Sequence, residues 1–243
     1  LVGSEMCIRD RAGIVRCYGR EDLITVASIF SSPPLQGKNI AIITHAGGPA
    51  VMLTDTLSNG GLEVPQLEGP DAEELLTHLF PGSSVANPVD FLATGTAEQL
   101  GTIIDFVDQR FDTIDAMVVI FGTPGLVPIF DVYNVLHEKM AAARKPIYPV
   151  LPSTLTAREE VDAFLAKGHI NFPDEVSFGN ALTRVSRSSP PPTPEALPTI
   201  DIETVRSVID AAQSGYIASD AIRTLLDACL LYTSPSPRDR TRS

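Results

Sequence analysis

A glycine turn between an apolar strand and a helix is the part of this sequence whose residue types could do chemistry. Residues 39–53 read NIAIITHAGGPAVML. Gly47 and Gly48 let the backbone bend sharply and remove side chains that would block a ligand. Pro49 suits a first helical turn, where its missing N–H costs nothing. A helix N-terminus at the carboxyl end of a strand binds anions, phosphate above all. The alternative is a plain strand-to-helix turn of a parallel sheet, and the glycines alone do not decide between the two.

The candidate phosphate-binding residues are therefore Thr44, His45, Ala46, Gly47 and Gly48. Histidine can accept a phosphoryl group, but for His45 a hydrogen-bonding role is the stronger expectation. The other histidines have no partner at metal-ligand spacing, so they are expected to be surface residues: His78, His137 and His169.

Two further segments are expected near the same site. Asn87 and Asp90 flank a rigid proline, and Asp90 could either orient a loop at the site or cap the next turn, a structural role near the site being favoured. Gly122 and Thr123 follow an apolar strand, and ligands of open parallel sheets lie beyond the carboxyl ends of the strands. The loop at residues 152–154 is expected at the same rim.

Apolar segments alternate with amphipathic ones, which predicts the fold class. Strands are predicted at residues 40–43, 62–67, 116–121, 146–151 and 170–172. Helices are predicted at residues 21–30, 50–58, 71–80, 97–109, 127–143, 156–167 and 176–187. On the first helix the apolar face is expected to comprise Leu23, Val26, Ala27 and Phe30. Five alternations joined by short loops predict an α/β fold with a doubly wound, flavodoxin-like parallel sheet.

The remaining segments set the predicted domain boundaries. Residues 189–199 are a proline-rich linker, and two amphipathic helices follow it, too few to bury their own apolar faces. The ends resemble translated sequencing-adaptor reads, which recur in metagenomic sequences. The predicted organisation is an artefact at 1–11, an incoming helix and connector at 12–36, the flavodoxin-like domain at 37–188, the linker at 189–199, the truncated start of a second domain at 200–228 and an artefact at 229–243.

Composition excludes several classes of protein. The chain has 18 basic and 30 acidic residues, a net charge of −12, which argues against nucleic acid or an anionic membrane as a partner. No apolar run is long enough to span a bilayer. Of the three cysteines, two lie in the suspect ends, so a reduced, cytoplasmic setting is expected.

Four motifs in order carry a family resemblance: residues 12–16 with the helix after them, residues 37–49 with the glycine turn, Asn87-Pro-Val-Asp90, and Lys145-Pro146 opening a strand. From Ala12 to about Ala228 the chain resembles the NDP-forming acyl-CoA synthetases, the acetate–CoA ligase (ADP-forming) family, which is related to succinyl-CoA synthetase. Members of that family commonly have Asn where this chain has His45.

The resemblance implies a fragment of an enzyme that joins a carboxylic acid to CoA at the expense of ATP, through an acyl phosphate and a phosphohistidine. It implies a succinyl-CoA synthetase-like domain here, a CoA-binding domain and the phosphohistidine upstream of Ala12, and an ATP-grasp domain beginning near residue 200. The implied cofactors are CoA, ATP or ADP, and magnesium, which would belong to the ATP-grasp part. The implied partners are those missing domains and a small-molecule acid, in an oligomeric parent enzyme, with no catalytic residue in this fragment.

Two alternatives remain open. One is a regulatory module of a related chain that ends in an acetyltransferase domain. The other is a stand-alone flavodoxin-like binding module, for which the helices after residue 200 would be superfluous. A flavin role is disfavoured, because the Thr-rich phosphate loop of a flavodoxin is absent and aromatic residues near the rim are few.

Overall fold

The structure, a computed structural model, describes residues 12–123, 129–188 and 199–229. These residues fall into two compact units, the first ending before and the second beginning after residues 189–198. The predicted artefact at 1–11, residues 230–243 of the predicted artefact at 229–243 and most of the predicted linker therefore lie outside the described residues. Cys229, predicted as the first residue of the tail, follows the last helix as its C-cap residue.

The predicted incoming segment at 12–36 is only partly helical. Ala12, its first residue, is exposed and lies in a turn rather than in a helix. The helix of this segment begins at Arg20, after Gly19 as its N-cap residue. The phosphohistidine expected upstream of Ala12 falls outside the described residues, so it stays a prediction.

Helices and short strands follow one another along the described part of the first unit. Its helices are α1 (Arg20–Phe30), α2 (Gly47–Asn59), α3 (Pro70–Thr77), α4 (Ala97–Arg110), α5 (Phe130–Ala142), α6 (Arg158–Ala166) and α7 (Glu175–Arg187). Its strands are β1 (Ile40–Thr44), β2 (Val89–Asp90), β3 (Ala116–Ile120) and β4 (Ile147–Val150).

The four strands form one parallel sheet in the order β2-β1-β3-β4. Thr44 pairs with Asp90 on one side and with Ile120 on the other, so these strands end at one level. The predicted α/β fold with a parallel sheet is confirmed. Level strand ends bring the loops that follow them to one rim.

Two of the five predicted strands are wrong as strands. The segment at 62–67 makes a single bridge, between Glu63 and Asn39, and the segment at 170–172 makes a single bridge, between Phe172 and Val150. Each lies beside a strand of the sheet without forming a continuous ladder. The strand beside β1 is instead β2, from the Asn-Pro-Val-Asp segment, which the sequence did not predict as a strand.

Asparagine side chains bond to backbone groups at both edges. The Asn87 amide donates to the carbonyls of Ile40 and Pro65 at 3.0 and 2.8 Å, which ties β1 to the 62–67 segment. The Asn171 side chain accepts from the N–H of Leu151 at 2.9 Å and donates to its carbonyl at 3.1 Å. The Asn87 side chain thereby satisfies polar backbone groups beside β1. The Asn171 side chain adds a second acceptor for the Leu151 N–H, which also donates to the carbonyl of Phe172 at 3.1 Å.

Helices cover both faces of the sheet. Alternate residues of β1 face opposite sides, so Ala41 and Ile43 belong to one buried cluster and Ile40 and Ile42 to the other. The first cluster includes residues of α3, α4, α5 and α6, and the second includes residues of α1, α2 and α7. The result is a three-layer α/β/α domain, as expected for a doubly wound sheet.

The predicted apolar face of α1 is wrong in detail. The helix buries Val26 and Ile29, whereas Leu23 and Phe30 are 56% and 58% exposed. The helix lies on only one side of the domain, and the narrow stripe that it buries packs in the cluster that contains α7.

The second unit contains α8 (Ile202–Ala211) and α9 (Ser219–Ala228). Asp201 caps α8 by accepting a hydrogen bond from the N–H of Thr204 at 3.0 Å. Neither helix has a buried residue. This agrees with the expectation that two such helices cannot bury their apolar stripes by themselves.

Candidate functional site

The turn between β1 and α2 is closed by the Thr44 side chain. The Thr44 hydroxyl accepts a hydrogen bond from the N–H of Ala46 at 3.1 Å and donates one to the carbonyl of Ala46 at 2.9 Å. Thr44 is fully buried, so this bracket is rigid. It fixes the direction in which the first turn of α2 leaves the sheet.

The N-terminus of α2 has no side-chain cap. Ala46 is the N-cap residue, and no side chain of the described residues accepts a hydrogen bond from the first turn. Most helices satisfy these N–H groups with Ser, Thr, Asp or Asn at the N-cap. Here Gly47 and Gly48 are exposed. Their N–H groups are left for solvent or an anion.

The two glycines leave space beside the turn. A Cβ atom at Gly48 would meet no heavy atom within 4 Å, and one at Gly47 would lie 3.5 Å from an Asp90 carboxylate oxygen. A side chain at position 48 would therefore project into open space rather than into the protein. That space lies directly over the start of α2.

His45 stands beside the turn as a half-buried ring. Its centroid lies 4.4 Å from that of Phe121, and its Nδ1 atom is buried without a hydrogen-bond partner among the described residues. Burial lowers the pKa of His45, an effect opposed by the Ile120 carbonyl and the negative charge of Asp90. The ring is consequently neutral near pH 7, which suits hydrogen bonding better than charge pairing.

The residues of the Asn-Pro-Val-Asp segment separate in space. Asn87 is buried and braces the middle of β1, away from the rim. Asp90 lies at the rim beside Gly47, and one of its carboxylate oxygens accepts the N–H of Leu92 at 3.0 Å. Asp90 thus both caps its own turn and stands next to the glycine loop.

A cluster of three hydroxyl groups lies at the ends of β3 and β4. The Thr123 N–H and the Thr123 hydroxyl both donate to the Ser153 hydroxyl oxygen at 2.8 Å. The Thr123 and Thr156 hydroxyl oxygens are 2.9 Å apart. The sequence placed Thr123 and the 152–154 loop at this rim, but it missed Thr156 and the bonds between them.

Gly122 separates the hydroxyl cluster from His45. A Cβ atom at this position would lie 3.0 Å from the Ser153 hydroxyl oxygen and 3.8 Å from His45 Cε1. The rim therefore brings the glycine turn, His45, Asp90 and the hydroxyl cluster together. Residues 124 and 125, which follow Thr123, lie outside the described residues.

Two histidines predicted to be surface residues are paired instead. His137 Nδ1 lies 2.5 Å from His169 Nε2, and both side chains are partly buried. His78 is exposed, as predicted. The pair comes from α5 and from the loop after α6, so a separation of 32 positions along the chain concealed it.

The described parts of the chain contain neither a membrane-spanning helix nor a cluster of metal ligands. None of the helices in the described parts of the chain is both long enough and apolar enough to cross a membrane. Within those parts, no three His, Cys, Asp or Glu side chains form a group that could hold a metal ion.

Comparison with known proteins identifies relatives of one kind. The chain is 30% identical over 120 residues to the subunit alpha of acetate–CoA ligase (ADP-forming) II of Pyrococcus furiosus, a match that covers 49% of this chain and 26% of the relative. It is 28% identical over 186 residues to the subunit alpha of acetate–CoA ligase (ADP-forming) I of the same organism, covering 74% of this chain and 39% of the relative. The chain is a relative of the ADP-forming acetate–CoA ligases. The resemblance predicted from the motifs is thereby confirmed, although no protein-family model matches the chain.

A third relative is named for a different acid substrate. The 4-hydroxybutyrate–CoA ligase (ADP-forming) of Nitrosopumilus maritimus is 27% identical over 180 residues, which cover 71% of this chain and 25% of that protein. The chain thus spans between about a quarter and two fifths of the length of these curated relatives.

Solved structures support the fold. The dinucleotide-forming acetyl-coenzyme A synthetase 1 of Ca. Korarchaeum cryptofilum, in its apo form, superposes with a TM-score of 0.69 at 18% identity, over 77% of this chain and 42% of that one. Its complex with phosphate and ADP gives a TM-score of 0.68 at 20% identity, over 77% and 41%. At such low identity the match speaks for the fold alone.

Proposed function

We propose that this chain is part of an ATP-dependent, ADP-forming acid–CoA ligase, in which it presents the N-terminus of α2 to a phosphoryl group. The overall reaction of that enzyme joins a carboxylic acid and CoA while ATP becomes ADP and phosphate. It proceeds through an acyl phosphate and a phosphohistidine that lies in a segment upstream of Ala12. This chain binds and orients the phosphoryl group and supplies no covalent acceptor.

The observation that carries the proposal is the N-terminus of α2, which has no side-chain cap and has open space beside Gly48. The N-cap residue Ala46 offers no side-chain acceptor, and a Cβ atom at Gly48 would touch nothing within 4 Å. A helix that leaves its first N–H groups exposed in this way forgoes a cap worth about 1 kcal/mol. A bound phosphoryl oxygen that accepts hydrogen bonds from these N–H groups would supply the stabilisation that the missing cap does not.

The physical problem in this reaction is a phosphoryl group with two negative charges that must move between sites. Aligned N–H groups at a helix N-terminus stabilise such charge by up to about 2 kcal/mol in partly buried geometry. The candidates for this contact are Thr44, His45, Ala46, Gly47 and Gly48. The Thr44 bracket holds the turn in place before the ligand arrives, so no ordering of the loop is needed.

His45 and Asp90 would have opposite effects on the binding of the same ligand. A neutral His45 can donate or accept a hydrogen bond without adding charge, whereas the Asp90 carboxylate repels an anion that approaches too closely. Gly122 and Thr123 would support the site from β3. Asn87 would support it indirectly, by holding β1 in register.

The names of the relatives support CoA and ATP or ADP as ligands of the whole enzyme. Magnesium stays a prediction for the ATP-grasp part of the whole enzyme. The domain boundaries at 37–188, 189–199 and 200–228, the cytoplasmic setting and the oligomeric parent likewise remain proposals.

The test uses the complete reading frame recovered from the source locus. ATP-dependent acyl-CoA formation, with ADP and phosphate as the other products, is expected from the wild-type enzyme on a short-chain acid. An upstream region without the phosphohistidine, and no acyl-CoA formation, would instead favour the regulatory-module alternative. A reading frame that begins near Ala12 and ends near residue 229 would favour the stand-alone binding module.

A further inference from the structure

The hydroxyl of Ser153 has a proton for which the described residues offer no acceptor. Its oxygen accepts two hydrogen bonds, from the N–H and from the hydroxyl of Thr123. A serine oxygen has two lone pairs, so both are used. The Ser153 proton must therefore point away from Thr123.

The three hydroxyl groups donate to one another in a single direction. Because the Thr123 hydroxyl donates to Ser153, its contact with Thr156 at 2.9 Å is one in which Thr156 donates. The chain of donors runs from Thr156 through Thr123 to Ser153. Each hydroxyl in such a chain polarises the next, so the terminal hydroxyl is the strongest donor of the three.

Gly122 brings the Ser153 end of this donor chain close to His45. The position of a Cβ atom at Gly122 lies 3.0 Å from the Ser153 oxygen and 3.8 Å from His45 Cε1. A side chain at position 122 would therefore crowd the Ser153 hydroxyl. Glycine lets this hydroxyl lie near His45, at the same rim as the start of α2.

We propose that Ser153 binds the ligand directly, donating its hydroxyl proton to an oxyanion that lies between His45 and the N-terminus of α2. Thr123 and Thr156 are positioning residues that act through Ser153. The ligand chemistry is a phosphoryl or carboxyl oxyanion, as both occur in an acyl phosphate. This inference rests on the proposed function, because it adds a residue to the anion site at α2.

The test is a titration of the full chain followed by the amide NMR signals of Gly47, Gly48 and Thr123. The probes are inorganic phosphate, acetate and acetyl phosphate, used separately. Phosphate tests a phosphoryl source of the oxyanion, acetate tests a carboxyl source, and acetyl phosphate carries both groups. Wild-type protein is expected to show saturable shifts at Gly47 and Gly48 with phosphate and acetyl phosphate.

Four variants separate binding from structure. Ser153→Ala is expected to weaken acetyl phosphate binding about tenfold, because it removes one hydrogen bond to a charged group. Ser153→Thr keeps the hydroxyl and is expected to stay within about threefold of the wild type. Thr156→Val removes only the far end of the donor chain. Its affinity for acetyl phosphate is expected to lie between those of Ser153→Ala and Ser153→Thr. Thr102→Ala removes an exposed hydroxyl on α4 and is the matched control.

The outcomes distinguish this inference from the proposed function. If Ser153→Ala binds as tightly as the wild type while the shifts at Gly47 and Gly48 persist, the inference is overturned and the anion site at α2 stands. If Ser153→Thr is as weak as Ser153→Ala, a direct hydroxyl contact is also overturned. If no probe shifts Gly47 and Gly48 in the wild type, the anion site itself fails and Ser153 has no ligand to bind.

Discussion

The side-chain oxygen of Asn87 accepts a hydrogen bond from the backbone N–H of Ile42 at 2.9 Å. The amide group of the same side chain donates to the carbonyl of Ile40 at 3.0 Å. One side chain thereby makes both of the bonds that a neighbouring strand would make to this part of β1. The strand that leads into the candidate site is held by this contact at its edge.

Replacement of Asn87 should destabilise the first unit strongly. In Asn87→Ala the buried N–H of Ile42 and the carbonyls of Ile40 and Pro65 lose their partner, and each unsatisfied buried group costs about 1–3 kcal/mol. We expect the free energy of unfolding to fall by about 3 kcal/mol or more in urea denaturation. Asn180→Ala, at an exposed position of α7, is the control and should change it by less than about 0.5 kcal/mol. Equal effects of the two changes would contradict the bracing role.

Gly60, after α2, should not tolerate a side chain. A Cβ atom there would lie 2.0 Å from the methyl group of the buried Thr183, so α7 or the turn must shift. Gly60→Ala is expected to lower the free energy of unfolding by about 1–3 kcal/mol, the usual cost of overpacking. Thermal and urea unfolding would both report this loss, and an unchanged midpoint would show that the turn adapts.

Gly48→Ala should have the opposite effect on stability. The position is helical, its Cβ atom would touch nothing, and alanine in a helix is favoured over glycine by up to about 1 kcal/mol. We expect a small rise in the free energy of unfolding together with weaker binding of phosphate. A loss of stability would mean that glycine serves the fold here rather than a ligand.

The sequence predicted correctly the elements whose signal lies within a single segment. The apolar runs of β1, β3 and β4 and the glycine turn before α2 are local signals, and each was found. It failed where the partner is distant: the 62–67 segment has strand-like residues, yet the Asn87 side chain takes part of its place on β1. The face of α1 was misjudged for a similar reason, since four apolar positions satisfy the periodicity and tertiary packing decides which are buried.

The hydroxyl cluster shows the same limit within the candidate site. Thr123 could be placed at the rim because it follows an apolar strand. Its bonds to Ser153 and Thr156 span 30 and 33 positions, and no local pattern predicts them. His137 and His169 are a second such pair.

The stability of the first unit should fall as the pH drops below about 6.5. Burial, His137 and Lys167 lower the pKa of His169 below its usual value of 6.5, so the unfolded chain binds its proton more readily than the folded chain does. The stabilisation is complete above pH 6.5 and is lost as the pH falls through the folded-state pKa. Burial lowers the pKa of His45 too, with the same sign.

Unfolding by urea at several values between pH 5 and pH 8 measures this effect. His169→Gln should flatten the pH dependence, whereas His78→Gln, an exchange at an exposed histidine, should leave it unchanged. A His169→Gln curve parallel to that of the wild type would exclude the pair as its source.

The most direct test of the central claim is the rate of ADP-forming acyl-CoA synthesis by the complete enzyme carrying Gly48→Val. The Cβ atom of a valine at position 48 would meet no heavy atom within 4 Å, so the side chain would enter the open space over the start of α2. Gly19→Val, at another glycine whose Cβ atom would meet nothing within 4 Å, is the matched control. The account predicts that Gly48→Val loses at least about tenfold in rate, equivalent to about 1.4 kcal/mol of lost stabilisation, while Gly19→Val keeps the wild-type rate. A Gly48→Val enzyme as fast as the wild type would contradict it.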